Sequence, residues 1–436
     1  MRKARRKALS ATCCVLALLA ACAAEGTAGQ KRGGGKKKAP ARKVFCAPQD
    51  VQVWRGGHRL PAVVLTPKGT LMVFTEDRSR ECSDGGPHNI AMKRSVDGGK
   101  TWSKDHYIAY DKRIRFAGPV PVVERDTGKV WVFYSRGRPH RGHVWYASSE
   151  DDGVTWSKPR SVHKDFEDLK IKYTGTSQGI QLSDGRLLVP MDYGKPGPGK
   201  GWAETPVCIY SDDQGKTWKT GKPLLRTPCH TEFALVERVD GTVYANFRMR
   251  DGLGNQRRLY AVSKDRGITW SRPKDAAGLP RKHTSTMGLA RLTDERLHDR
   301  NRVVFSGPAG PGRKNMTVWI SYDECRTWKK CRALCNGRTS YSNLIVFPDL
   351  TVGCAYETNE GGWQSVRFAR FSLEWLTEGK DKLDRSKFKK GESGIGARHE
   401  SQPDSLAEPG SGAGLVKRGH AGHSDSTILP DVSKGG

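Results

Sequence analysis

The side chains of this 436-residue chain that could do chemistry are scattered, and the most conspicuous cluster leads nowhere. Cys325, Cys331 and Cys335 lie close together in sequence, and thiolates bind zinc when four ligands can close a tetrahedron. No histidine stands near them and no second cysteine pair sits at zinc-ribbon spacing, so no metal is expected there; separately, no cofactor is expected of the chain. Eight cysteines follow Cys22 (Cys46, Cys82, Cys208, Cys229, Cys325, Cys331, Cys335 and Cys354), an even number that permits disulfides of open connectivity. The remaining candidates are polar stretches. They include His58-Arg59-Leu60-Pro61-Ala62 with the run on to Arg78, Cys82-Ser83-Asp84-Gly85-Gly86, His230-Thr231-Glu232 and Ser340-Tyr341-Ser342. Taken singly, each has a plain structural reading. Among 75 Lys and Arg an isolated arginine is solvated, a tyrosine in a strand is packing, and an aspartate before two glycines makes a turn. Nothing in their spacing alone joins them into a site.

The elements that would have to position such residues are announced by a repeat. The frame Ser-x-Asp-x-x-x-Thr-Trp occurs at Ser95–Trp102, Ser149–Trp156, Ser211–Trp218, Ser263–Trp270 and Ser321–Trp328, with Cys325 where the other copies have glycine. The copies are roughly 50 to 60 residues apart, a period typical of solenoids and propellers. Each follows a short alternating run, such as Val144-Trp145-Tyr146-Ala147, that reads as a strand. Within a copy the Asp can accept backbone N–H bonds, the Gly supplies positive φ, and the Trp buries its ring on neighbouring strands. One such hairpin cannot hide its own apolar face, so several must pack together. The segments Val51–Phe74 and Ser342–Phe371 are strand-rich but lack the frame, and pairing of first with last strands would close the ring. The expected fold is all-β, a six-bladed β-propeller over 49–380.

Twelve Trp and 36% hydrophobic content suit such a body. The net charge of +29 points toward anionic partners in general, but before Val44 the Lys and Arg exceed the single acid Glu25 by eleven. A solvated basic linker or attraction to anionic glycans accounts for this excess, and no nucleic-acid partner is expected. Met1–Lys7 is basic and Ala8–Ala20 apolar but short, which reads as an export signal over 1–22. Leu19-Ala20-Ala21-Cys22 resembles a bacterial lipobox, implying a lipid anchor at Cys22 and a place on the cell envelope, or secretion if the signal is simply cut. Residues 23–48 read as a flexible tether, and 381–436, nearly devoid of aromatics, as a disordered tail.

The stretch from His58 to Arg78 resembles the Arg-Ile-Pro signature and following hairpin of the exo-α-sialidases (neuraminidases), with Leu60 in place of Ile. That family has a six-bladed propeller carrying the same repeats, and it uses three arginines, an aspartate, a glutamate and a tyrosine. The resemblance implies Arg59, Arg248 and Arg313 as the arginines, Asp84 as acid/base, Glu232 as partner of the nucleophile and Tyr341 as the nucleophile. It implies Glu357 as a brace for Arg59, and Arg78 closes the same hairpin in support.

The implied chemistry is coherent. Three guanidinium groups can hold the carboxylate of a sialic acid with bidentate bonds. A carboxylate nucleophile would be repelled by that group, whereas a phenol is not, provided a base takes its proton. The substrates implied are sialylated glycoproteins, glycolipids or oligosaccharides, and oligomeric state stays open. Leu60, Cys325 and Leu350 depart from the family pattern at turns, and Phe233-Ala234 after Glu232 departs beside a reacting group. Two further readings share the arginines: a non-catalytic glycan-binding propeller, and a trans-sialidase or hydrolase acting on a related 2-keto-3-deoxy sugar acid.

Overall fold

The computed structural model describes residues 49–389, apart from 138–141, 167–168, 170, 194, 197–201, 204, 226–229, 251–255, 281–284 and 361–363. The expected signal over 1–22 with Cys22, the linker over 23–48 and the tail from 390 onward lie outside the described residues. No described helix is long and apolar enough to cross a membrane.

Strand β1 (Gln49–Trp54) is followed by blade 1, made of β2 (His58–Leu65), β3 (Leu71–Asp77), β4 (Asn89–Ser95) and β5 (His106–Ala109). Blade 2 holds β6 (Phe116–Val123), β7 (Val130–Arg136), β8 (His143–Ser149) and β9 (Arg160–Ser161). Blade 3 is less regular. Short strands β10 (Tyr173–Thr174) and β11 (Ile180–Gln181) both pair with β12 (Leu187–Asp192), and β13 (Lys195–Pro196) with β14 (Trp202–Ala203) forms a small ribbon. β15 (Pro206–Ser211) and β16 (Lys219–Thr220) complete it. Blade 4 is β17 (His230–Glu237), β18 (Val243–Arg250), β19 (Gln256–Ser263) and β20 (Lys274–Asp275).

The last sheet has seven strands because two blades share one long strand. β21 (Leu289–Thr293), β22 (Arg302–Gly310), β23 (Lys314–Ser321) and the first part of β24 (Lys329–Val346) make blade 5. The second part of β24, with β25 (Val352–Thr358), β26 (Ser365–Phe371) and β1, makes blade 6. β1 runs antiparallel to β26, with Val51 opposite Phe368, so the first strand of the body is the outer strand of the last blade.

The core is divided among the seams. Six apolar clusters lie one between each pair of neighbouring blades, and the last joins Ile345, Ala355 and Phe368 of blade 6 to Val63, Val73 and Ala91 of blade 1. That sixth seam closes the ring.

The repeated frame occupies the turn between third and fourth strands. In blade 1, Asp97 accepts from the backbone N–H of Lys100 and Thr101 at 3.0 Å, and Ser95 Oγ accepts from Gly99 N–H at 2.8 Å. Its Gly and Trp face the preceding blade: Trp102 packs edge-on against Phe368 at 5.5 Å, and a Cβ on Gly99 (φ +89°) would meet the same ring at 2.5 Å. Trp156 packs against Phe74, and Trp218 against Phe133, in the same way. Blade 6 lacks the frame because its fourth strand comes from β1, so no third-to-fourth turn exists there.

Three departures from the family pattern fall on left-handed backbone: Leu60 (φ 55°), Cys325 (φ 69°) and Leu350 (φ 66°). The six described cysteines, Cys82, Cys208, Cys325, Cys331, Cys335 and Cys354, are free thiols, and Cys46 and Cys229 lie outside the described residues. Past Lys380 the chain still packs: Arg302, fully buried, ion-pairs with Asp381 at 2.8 Å and with Asp299 at 2.7 Å, and Lys389 N–H donates to Leu297 O.

Candidate active site

The frames sit at one end of the strands, and the polar stretches collect at the other. There, the start of β2 is pulled out of register: a bulge falls between Arg59 and Ala62, with Leu60 in the left-handed region. Such a conformation costs about 1–2 kcal/mol in a non-glycine residue and re-aims its neighbours. Glu357 on β25 holds it in place. One carboxylate oxygen accepts from Leu60 N–H at 2.8 Å and from Arg59 Nε at 3.3 Å. The Glu357 carboxylate, outweighing desolvation, keeps the Arg59 guanidinium firmly charged. Arg59 then lies over the Tyr341 ring, 5.3 Å from its centre.

Tyr341 stands on a second bulge, in β24 between Thr339 and Ser342. Its hydroxyl donates to Glu232 Oε1 at 2.6 Å. Glu232 and Arg248 face each other in the antiparallel pair β17–β18, and Arg248 Nη1 donates to the other carboxylate oxygen at 2.6 Å and to Tyr341 Oη at 3.5 Å. Phe233 and Ala234, buried behind Glu232, do not turn it away from Tyr341. Burial, and then the Glu232 charge, pushes the Tyr341 phenol well above its ordinary pKa. Burial alone would raise Glu232, but Arg248, the Tyr341 hydroxyl and Arg313 hold it below the usual carboxylate range. The resting pair is therefore phenol and carboxylate, which is the arrangement of an acid awaiting its base.

Arg313 lies in the loop between β22 and β23, itself left-handed (φ 58°). Its guanidinium donates to Ser340 Oγ at 2.9 Å and lies 5.6 Å from the centre of the Tyr341 ring. Arg59, Arg248 and Arg313 thus approach one tyrosine from blades 1, 4 and 5. A cavity of about 240 Å³ opens beside them, lined by Arg59, Arg313, Arg338, Ser340, Glu357 and Gln364 among others.

Asp84 sits apart from the tyrosine, on the loop between β3 and β4, with its side chain 82% exposed. It joins the cluster through arginines: Arg78 Nη1 donates to Oδ1 at 2.5 Å and Arg59 Nη1 reaches the same oxygen at 3.4 Å. Partial desolvation raises its pKa, but the bond and charge of Arg78, then Arg59 and Arg115, bring it below the usual range.

Three residues here were not expected from sequence. Glu76, fully buried, accepts from Arg78 Nε at 2.7 Å and from Gly118 N–H at 2.7 Å, which fixes the arginine behind Asp84. Arg115 Nε donates to the Asp84 carbonyl at 2.8 Å. Arg258, opposite Arg248 on β19, is buried with Asn246 Oδ1 at 2.8 Å and Ser285 O at 2.6 Å as its acceptors. Burial and the Arg248 charge push Arg258 down to about 9. No local pattern marks these three; contacts between strands and between neighbouring blades bring them in.

Fold and site together define a propeller built on the Ser-x-Asp-x-x-x-Thr-Trp frame, with a buried tyrosine–glutamate pair ringed by guanidinium groups. Residues 69–354 match the family model described as a BNR repeat-like domain, and the chain belongs to that family. It is 29% identical over 409 residues to the sialidase of Micromonospora viridifaciens, a match covering 86% of this chain and 61% of that protein. The chain thus spans about three fifths of that relative's length. Among solved structures its fold is similar to a Hadza microbial sialidase (TM-score 0.64, 24% identity, 74% of this chain and 66% of that one). It is also similar to the intramolecular trans-sialidase of Ruminococcus gnavus (TM-score 0.58, 16% identity, 73% of this chain and 95% of that one).

Proposed function

We propose that this chain is a retaining exo-α-sialidase that hydrolyses terminal α-linked sialic acids from glycoproteins, glycolipids or oligosaccharides through a tyrosyl intermediate. The observation that carries the reading is the Tyr341–Glu232 hydrogen bond of 2.6 Å within reach of three arginines. Binding alone would need only the arginines.

In this reading Arg59, Arg248 and Arg313 hold the sugar carboxylate. Glu232 takes the Tyr341 proton as the phenolic oxygen attacks the anomeric carbon, and Asp84 gives a proton to the departing glycosidic oxygen. Asp84, now a carboxylate, removes a proton from water. That water displaces Tyr341, which recovers its proton from Glu232, and two inversions leave the configuration retained. The test is incubation with a fluorogenic α-sialoside across a pH range. Dye release supports the enzyme. Sialic acid binding without any release overturns it in favour of a glycan-binding propeller.

A further inference from the structure

At the frame end of the ring, away from Tyr341, a cavity of about 490 Å³ lies where blade 2 meets the third frame. Among the described residues its wall carries Lys129, Arg160, Lys164 and Lys216 against one carboxylate, Asp165. That carboxylate is committed. It takes two bonds from Arg160, at 2.7 and 3.0 Å, and one from the Tyr146 hydroxyl at 2.9 Å. Lys129 is braced as well, 2.8 Å from Glu150 and 4.5 Å above the Trp131 ring. Lys164 and Lys216 close no ion pair among the described residues, although the Lys164 charge is felt by Asp165, and both are exposed. Behind the cations runs an aromatic layer, with Trp131 and Tyr146 centred 5.5 Å apart and Tyr146 and Phe166 5.7 Å apart.

We propose that this cavity is a second anion-binding site that takes a carboxylate- or sulfate-bearing sugar. A concave wall with an excess of cations lowers the energy of an anion there, and long lysines can close on it from two sides. The volume accommodates a sugar ring rather than a bare ion; Trp131 and Tyr146 are buried and back the wall from within the core, and half-buried Phe166 gives the rim an apolar edge. Arg160, fixed by Asp165, and Lys129, fixed by Glu150, are held at the rim, whereas Lys164 and Lys216 are left to the ligand. Because the site faces away from Tyr341, a surface bearing many anionic sugars could be held there while the other end of the ring is presented to a neighbouring glycan.

The site is tested by calorimetric titration of the full chain carrying Arg59→Ala/Arg313→Ala, which removes two of the arginines placed to hold a carboxylate at the Tyr341 end; turnover is measured without those two changes. The probes are 3′-sialyllactose, sulfated lactose, lactose and a short single-stranded oligonucleotide. Binding of a charged lactose but not of lactose, weakened about tenfold or more in Lys164→Glu/Lys216→Glu, supports the proposal. The two charged lactoses separate a carboxylate from a sulfate source. No binding of either, binding unchanged in the lysine double variant, or equal binding of the oligonucleotide overturns it. Turnover of a small fluorogenic sialoside should be unchanged in the lysine double variant, so its loss in both proteins would count against the catalytic reading and not against this one.

Discussion

Tyr341 and Glu232 are 109 positions apart in sequence and belong to blades 6 and 4, yet one hydrogen bond of 2.6 Å joins them. The ring curvature makes that contact possible: first strands converge on the axis, so side chains at their starts meet across it. Arg248 shares the same carboxylate, which orients Glu232 and lowers its pKa in one arrangement.

Tyr341→Phe removes the nucleophile and keeps the ring under Arg59 and Arg313. Turnover of an α-sialoside should fall by about 10³-fold or more, while affinity for a sialic acid analogue stays within a few fold. Kinetics paired with equilibrium binding measures both. Full activity would show that the nucleophile lies elsewhere.

Glu232→Gln keeps shape but cannot accept the phenolic proton, so a loss of about 10²–10⁴-fold in kcat is expected. The variant also leaves Arg248 without its carboxylate, and thermal unfolding should report a lowered Tm.

Asp84 and Glu232 both titrate below the usual carboxylate range. The proton that Asp84 must give is lost at lower pH than from a free aspartate, so kcat/KM should be highest in acid and fall as pH rises. Arg115→Gln removes one of the lowering charges and should move that falling limb to higher pH, which a pH–rate profile would detect. A profile indifferent to Arg115 would remove Asp84 from the role of acid. For folding the sign is separate: a depressed native pKa adds stability above the unfolded value and loses it as pH falls through the native one. Urea midpoints should therefore drop on acidification.

Glu357→Gln weakens the brace under Leu60 and Arg59. Because Leu60 is held left-handed and buried, we expect a loss of about 1–3 kcal/mol by urea denaturation, together with a raised KM. Gly99→Ala tests the seams instead. The added carbon would meet Phe368 across the blade 1–6 boundary, at a cost of about 1–3 kcal/mol with little change in KM.

Much of this molecule was legible because its scaffold is repetitive. Five frames mark five third-to-fourth turns; of the two frame-free segments, Ser342–Phe371 with β1 from the start of the other supplies the blade that has no such turn, and the rest of the other opens blade 1. The residues expected at the site stand together because the family pattern fixes their place on strands, as with Arg59 at a bulge and Glu232 opposite Arg248. Glu76, Arg115 and Arg258 escaped notice for a physical reason. Glu76 faces Arg59 in register but bonds to Arg78 and to Gly118 of the next blade, so its partners are set by packing between sheets. The lysines of the second cavity, spread from Lys129 to Lys216, are likewise gathered only by the ring.

The pairing of β1 with β26 also orders events in time. Arg367 ion-pairs with Asp50, 317 positions earlier, so β1, the earliest of the described strands to leave the ribosome, waits for the last blade to be made. Until residues near 371 appear, β1 has no sheet to join, and the blade 6–1 seam leaves the apolar faces of Val63, Val73 and Phe368 uncovered. Completion is therefore a single late step of high contact order, slow by nature and sensitive to anything that delays the end of the chain. A nascent propeller truncated before β26 would leave β25 open along one edge and the blade 6–1 seam uncovered, with a tendency to aggregate, whereas in the finished ring β26 and β1 cover that edge and the seam is closed.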